Sequence, residues 1–216
     1  VPKILESKIN GTGNLIIWIA ESNDNRLVDK DYGKWDIVVV DDLRAVDGAL
    51  KELKLRGLKI NNLYIRSHGH PGGFNYDAIN GVGQNRIYNR IDSPEICPSE
   101  DKTYYERNEV LDTLQRIAVV LAKDATVVVG ACSCGRLDQG SSMGKALSQA
   151  LLKLNPDSQA TIYLNQDNTS PNKSPDMSID VKFDAGLTGA RRFGKGWLKS
   201  ELNGKGSFKI TETRNN

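Results

Sequence analysis

The chain has 216 residues, 38% apolar and 26% charged, with a formal net charge of +2. That length suits one large domain or two small ones with a real core, the composition excludes a disordered polymer, and the small charge gives no general reason to expect nucleic acid as a partner. Its apolar runs reach only about five to seven residues, far short of the roughly 20 that a membrane helix needs.

The chain opens at Val1 with no charged-then-apolar leader. It reads as a processed piece, a soluble domain of a larger secreted or delivered polypeptide of bacterial style. The first strand-length apolar run is Leu15–Ile19 and the second Ile37–Val40. Both are rich in Val and Ile and do not alternate with polar residues, which suits strands buried on two faces. Leu43, Val46, Leu50 and Leu53 then fall on one helical stripe, with Gly57 as its stop. Leu63–Ile65 is a third strand. Residues 74–107 carry Gly, Asn, Asp and Pro without periodicity and read as one long insertion, a length usually kept for function.

Val110, Leu114, Ile117 and Leu121 repeat the helical stripe, with Asn108 as its cap. Val127–Val129 is the fourth strand. Met143, Ala146, Leu147, Ala150, Leu151 and Leu154 form the third stripe, capped by Ser141 or Ser142 and ended before Pro156. Thr161–Leu164 is the fifth strand, followed by a polar loop over 166–177. The stretch "GWLKSELNGKGSFKI" predicts a hairpin turning at Asn203-Gly204. Strand and helix alternate, so the expected fold is a single α/β domain over 1–216 with a mainly parallel sheet, right-handed crossovers and a C-terminal hairpin.

Two strand ends carry unusual chemistry. "LYIRSHGHPGG" (63–73) holds both histidines of the chain, and "VVVGACSCG" (127–135) holds two of its three cysteines. In a parallel sheet, ligands bind outside the carboxyl ends of strands. If the two strands are neighbours, His68 and Cys132 converge there. A thiol becomes a strong nucleophile where a nearby cation or a helix N-terminus favours its thiolate. Gly69 has no side chain to obstruct its N–H, which with the N–H of Cys132 would form an oxyanion hole. His68 would protonate the leaving amine.

The arrangement strand–Ser-His-Gly, helix, strand–Gly-Ala-Cys resembles the caspase-like cysteine peptidases, the group of caspases, legumain, gingipains, clostripain, separase and the self-cleaving domains of RTX toxins. "SHGHPGG" is similar to the legumain type through His68, Gly69 and Gly72, and "ACSCG" through Ala131, Cys132 and Gly135. The order of elements follows the family over roughly residues 14–165. The resemblance implies a three-layer sandwich, a Cys132 nucleophile with His68 as partner, a Gly69 oxyanion contact and no cofactor. The caspase signature Gln-Ala-Cys-x-Gly is not met, because Gly130 stands for Gln and the glycine comes one residue late. Aspartate specificity is therefore not carried over. Asp167 lies where the family often builds its first specificity pocket, and Glu21 is the other strand-end carboxylate; either suits a Lys or Arg substrate. Arg86, Arg90 and Arg107 would then be sites of self-processing.

Three further readings accompany this one. Cys134 is the alternative nucleophile, or a partner for Cys97 in one disulfide. His68-x-His70 with Cys132-x-Cys134 makes the ligand set of a structural zinc, although the one-residue spacing is uncommon. An inactive caspase-like scaffold that binds partners is the third. From residue 182 onward eight Lys and Arg face three Asp and Glu, leaving the rest of the chain net negative. Toxin-borne relatives are activated by inositol phosphate on a basic flap, which makes this basic end a candidate site for an anionic activator.

Overall fold

The computed structural model describes residues 1–20, 35–67, 69–70, 73–76, 86–87, 102–131, 134–135, 137–166 and 197–213. All five expected strands are present: β2 (Asn14–Ile19), β3 (Asp36–Val40), β4 (Ile60–Arg66), β8 (Leu121–Val129) and β9 (Thr161–Asn165). They pair parallel in the order β3-β2-β4-β8-β9. Three antiparallel strands extend this sheet to eight. β1 (Ile4–Lys8) lies against β3, while β10 (Trp197–Leu202) and β11 (Phe208–Thr213) continue from β9. The two-residue β5 (Gly69–His70), β6 (Gly73–Asn75) and β7 (Arg86–Ile87) form a separate small sheet. The molecule is thus mixed α/β with a mostly parallel main sheet.

Both faces of the central strands are buried, as the unbroken Val/Ile runs require. On one face Leu15, Ile17, Val38, Val40, Leu63, Ile65, Val127 and Val129 join a core with side chains of the helices. On the other, Ile16, Trp18, Trp35, Ile37, Tyr64, Val128 and Trp197 form a second cluster, to which no described helix contributes. Burying a side chain of this size is worth about 1.5–3 kcal/mol, so the two clusters hold the strands from both sides.

The first helical stripe is realised in two parts, a 3-10 turn (Leu43–Val46) and α1 (Asp47–Leu55). Its stop is as expected. Gly57 adopts φ +65°, and the N–H groups of Leu58 and Gly57 donate to the carbonyls of Leu53 and Lys54 at 2.9 and 3.1 Å. This is a Schellman closure, and the positive φ is what selects glycine.

The other two helices start earlier than their apolar stripes. α2 spans Lys102–Val120, so Asn108 is inside it rather than at its cap, and the insertion over 74–107 holds β6, β7 and the first turns of this helix. Leu121, the stripe's last member, opens β8 instead, opposite Ile60 and still 2% exposed. α3 spans Leu137–Leu154, so Ser141 and Ser142 do not cap it, and Leu154 is half exposed. In both cases the N-terminal turns carry no apolar repeat, so periodicity marks only the later part of the helix. None of the described helices is long and apolar enough to cross a membrane.

The C-terminal hairpin forms, but as the last two strands of the main sheet. Leu198 and Leu202 are buried beneath α3, and the Ser148 and Ser200 hydroxyls meet at 2.7 Å between helix and strand. The side chain of Asn203 organises the turn, its Oδ1 accepting from the N–H groups of Lys205 and Ser207 at 2.9 and 3.2 Å. At the opposite edge, the buried carboxylate of Asp36 accepts from the N–H groups of Asn10, Gly11 and Thr12 at 2.9, 3.0 and 3.2 Å, fixing the β1–β2 turn. Asp36→Ala strands these donors. It is expected to cost about 2 kcal/mol, a loss of roughly 4–8 °C in thermal midpoint by circular dichroism, with Asp36→Asn losing about half as much.

Candidate active site

The parallel strands run in the spatial order second, first, third, fourth, fifth, so the winding direction reverses between β2 and β4. Sheets of this order bind ligands at that reversal, outside the carboxyl ends of the strands. Both sequence motifs begin at this edge. β4 and β8 are hydrogen-bonded neighbours, with Leu63 opposite Val127, Tyr64 opposite Val128 and Ile65 opposite Val129. One further bond, from Gly130 N–H to Ile65 O at 2.9 Å, carries the pairing past the strand end. His68 follows Arg66 by two residues and Cys132 follows Val129 by three. Both lie outside the described residues. The strand ends that lead to them are adjacent, and neighbouring strands are about 4.8 Å apart.

The segment leading from β8 to α3 is held on both sides. Gly130 has no room for a side chain, since a Cβ there would sit 1.9 Å from the Tyr64 hydroxyl. Ala131 is fully buried. Gly135 donates its N–H to Asn165 O at 2.7 Å, and a Cβ at this position would lie 2.5 Å from the Leu164 carbonyl oxygen. The glycines on either side of Cys132 therefore tie its segment to β4 and to β9. α3 begins at Leu137, five residues after Cys132 rather than the ten or so expected from the serine caps. The partial positive charge of a helix N-terminus falls off within about one turn, so the earlier start matters for a thiolate.

The surroundings of Cys134 are those of a buried hydrogen-bond donor. It is a free thiol with no exposed surface, and its Sγ lies 3.6 Å from Val129 O and 3.8 Å from Asn165 O. Two carbonyl oxygens ask for the S–H as a donor. They oppose both a nucleophilic thiolate and the thiolate ligand that the zinc reading needs from this residue. Cys97, its proposed disulfide partner, lies outside the described residues.

The His motif enters the small sheet at once. Gly69 pairs with Phe74 and His70 with Gly73, while β7 pairs with β6 through Phe74–Ile87 and Asn75–Arg86. Bonded and non-bonded pairs alternate in an antiparallel ladder, so one of the N–H groups of Gly69 and His70 points away from β6. Phe74 and Tyr76 are fully buried. One residue before Ser67, the Arg66 guanidinium stacks 4.0 Å from the centre of the Trp18 ring, across the β2–β4 reversal.

The two carboxylates considered for substrate binding, Glu21 and Asp167, lie outside the described residues; they follow β2 and β9 at the same carboxyl edge. Next to Asp167, Gln166 is 4% exposed and its Oε1 is buried without a hydrogen-bond partner. By sequence this residue opens a polar loop, and nothing in its local pattern signals burial. Of the three self-processing arginines, Arg86 is in β7 and Arg107 in α2, so the backbone is extended at the first and helical at the second; Arg90 lies outside the described residues.

In the basic C-terminal region, Lys199 pairs with Glu201 at 2.7 Å, a bond that raises its ammonium above the ordinary lysine value. Lys205 and Lys209 are exposed. Lys182, Arg191, Arg192, Lys195 and Arg214 lie outside the described residues. No protein-family model, curated protein or solved structure matches the chain.

Proposed function

We propose that the chain is a caspase-like cysteine endopeptidase domain, a three-layer α/β sandwich whose nucleophile is Cys132 and whose imidazole partner is His68. The observation that carries this reading is the pairing of β4 with β8, parallel and in register to their carboxyl ends. Residues 64 apart in sequence thereby emerge from neighbouring strands beside the topological reversal. The buried donor role of Cys134 supports Cys132 as the reactive thiol of the pair.

The chemistry follows from these roles. The Cys132 thiolate adds to the scissile carbonyl carbon, and the carbonyl oxygen takes the electron pair, facing the N–H groups of Gly69 and Cys132. Collapse of this intermediate breaks the C–N bond while protonated His68 gives its proton to the leaving amine. Neutral His68 then takes a proton from water, whose oxygen attacks the thioester and releases the acid product. Asp167 is assigned to the first specificity pocket, with Glu21 as the second acid at the edge, so the preferred residue before the cut is Lys or Arg.

Labelling with peptidyl acyloxymethyl ketones tests the reading. Intact-mass and peptide mapping are expected to show one adduct per chain, on Cys132, formed faster with Lys or Arg in the first position than with Asp. Absence of any Cys132 adduct would count against the peptidase and for a scaffold without chemistry, and equal labelling of the His68→Ala variant would count against the dyad.

A further inference from the structure

The structure holds a charged clamp that the proposed mechanism does not use. Asp42, fully buried just past β3, accepts from the backbone N–H of Arg44 at 2.8 Å and from its Nε at 3.0 Å to each carboxylate oxygen. A further arm, Nη2, reaches the same carboxylate at 2.5 Å, and Nη1 reaches Glu109 of α2 at 2.6 Å. The guanidinium also stands 5.8 Å from the centre of the Tyr76 ring. Tyr76 in turn accepts from the Leu43 N–H through its backbone oxygen at 2.7 Å. The bonds to Asp42, ahead of those to Glu109, raise the guanidinium above its ordinary value.

These contacts meet on one segment. Tyr76 directly follows β6, and β6 is the partner of β5, whose first residue, Gly69, is peptide-bonded to His68. Phe74 and Tyr76 are both buried in the larger apolar core. A two-residue strand has little stability of its own, so β5 depends on what β6 is fastened to. Besides its core burial and its pairing with β7, β6 is fastened at Tyr76 by the Leu43 backbone bond and by the Arg44 guanidinium, itself held by Asp42 and Glu109.

We infer that Arg44 is a positioning residue for the proposed peptidase centre, tying the β5–β6 pair, which begins one residue after His68, to β3 and α2. The inference rests on the dyad reading. A lysine cannot replace the planar fork, because one ammonium cannot serve Asp42 and Glu109 and also stack on Tyr76.

The test is the rate of Cys132 alkylation by iodoacetamide between pH 5 and 9, with each cysteine resolved by peptide mapping. In the wild type a thiolate paired with protonated His68 keeps Cys132 reactive at pH 6, well below the ordinary thiol value of about 8.5. His68→Ala removes that low-pH reactivity. Arg44→Lys and Arg44→Met are expected to lower the pH 6 rate about tenfold, toward the His68→Ala level. The pH 9 rate should stay within about twofold of wild type, and buried Cys134 should remain unlabelled. Arg44→Met leaves the Asp42 carboxylate alone in the core; if that variant does not fold, Arg44→Lys decides.

If the pH 6 limb depends on His68 but both folded Arg44 variants keep it, the clamp is overturned and the dyad stands. A His68→Ala profile equal to wild type overturns the dyad and the clamp's role with it. Loss of the pH 6 limb at Cys132 with Cys134 becoming labelled shows general loosening and also overturns positioning.

Discussion

Cys132→Ala is expected to lower hydrolysis of a Lys- or Arg-containing peptide by at least about 10⁴-fold, and His68→Ala by a similar factor, while Cys134→Ala stays within a few-fold of wild type. Members of a catalytic pair act as a unit, so the double variant Cys132→Ala/His68→Ala should be no worse than either single one. The contrast between the two cysteines is the informative part. They are two residues apart, but Cys134 has no exposed surface and its S–H faces the carbonyls of Val129 and Asn165. Its replacement removes a small buried group and the weak bonds it makes, a matter of stability. Initial rates on a fluorogenic peptide, with active-site titration to correct for folded protein, check the prediction. Equal losses at Cys132 and Cys134, or multiplicative losses in the double variant, would contradict the assignment.

Gly135→Ala is expected to cost about 3 kcal/mol, lowering the thermal midpoint by roughly 6–12 °C. The added Cβ would lie 2.5 Å from the Leu164 carbonyl oxygen and 2.8 Å from its carbon. These are backbone atoms of β9, which is paired with β8 on one side and β10 on the other and cannot move aside. The same shift would lengthen the Gly135 N–H bond to Asn165 O, now 2.7 Å. Gly130→Ala meets a different obstacle, the Tyr64 hydroxyl at 1.9 Å, which belongs to a side chain and can turn if its own surroundings yield. Denaturant unfolding of both variants should therefore rank Gly135→Ala as the more damaging. The reverse order would mean that the β8–α3 segment relaxes more easily on its β9 side than on its β4 side. Because this segment carries Cys132, the activity of the Gly135 variant should fall further than its stability alone accounts for.

Strands were legible because burial on two faces demands unbroken Val, Ile and Leu, a pattern few other structures need. DIVVV and NLIIWI are buried almost throughout. Helix stripes were legible only where they pack. The first turns of α2 and α3 have no apolar repeat, so the sequence marks Asn108, Ser141 and Ser142 as caps although the helices have already begun. The 3-10 turn and α1 appeared as one stripe because Leu43, Val46, Leu50 and Leu53 face the same core in either geometry. The small β5–β7 sheet was invisible, since strands of two or three residues are too short to show a period.

Local chemistry written in the chain determined the parallel α/β architecture, the Gly57 stop, the Asn203 turn and the two strand-end motifs with His68 and Cys132. Spatial order was decided only by the tertiary structure. No periodicity states that β8 pairs with β4, that β10 joins β9, or that Arg44 reaches Asp42, Glu109 and Tyr76 together. Period and composition report what each segment buries, whereas pairing depends on which buried faces fit one another across long stretches of chain. The same physics sets the environment of Cys134, whose thiol faces the Val129 and Asn165 carbonyls that the folded backbone places beside it.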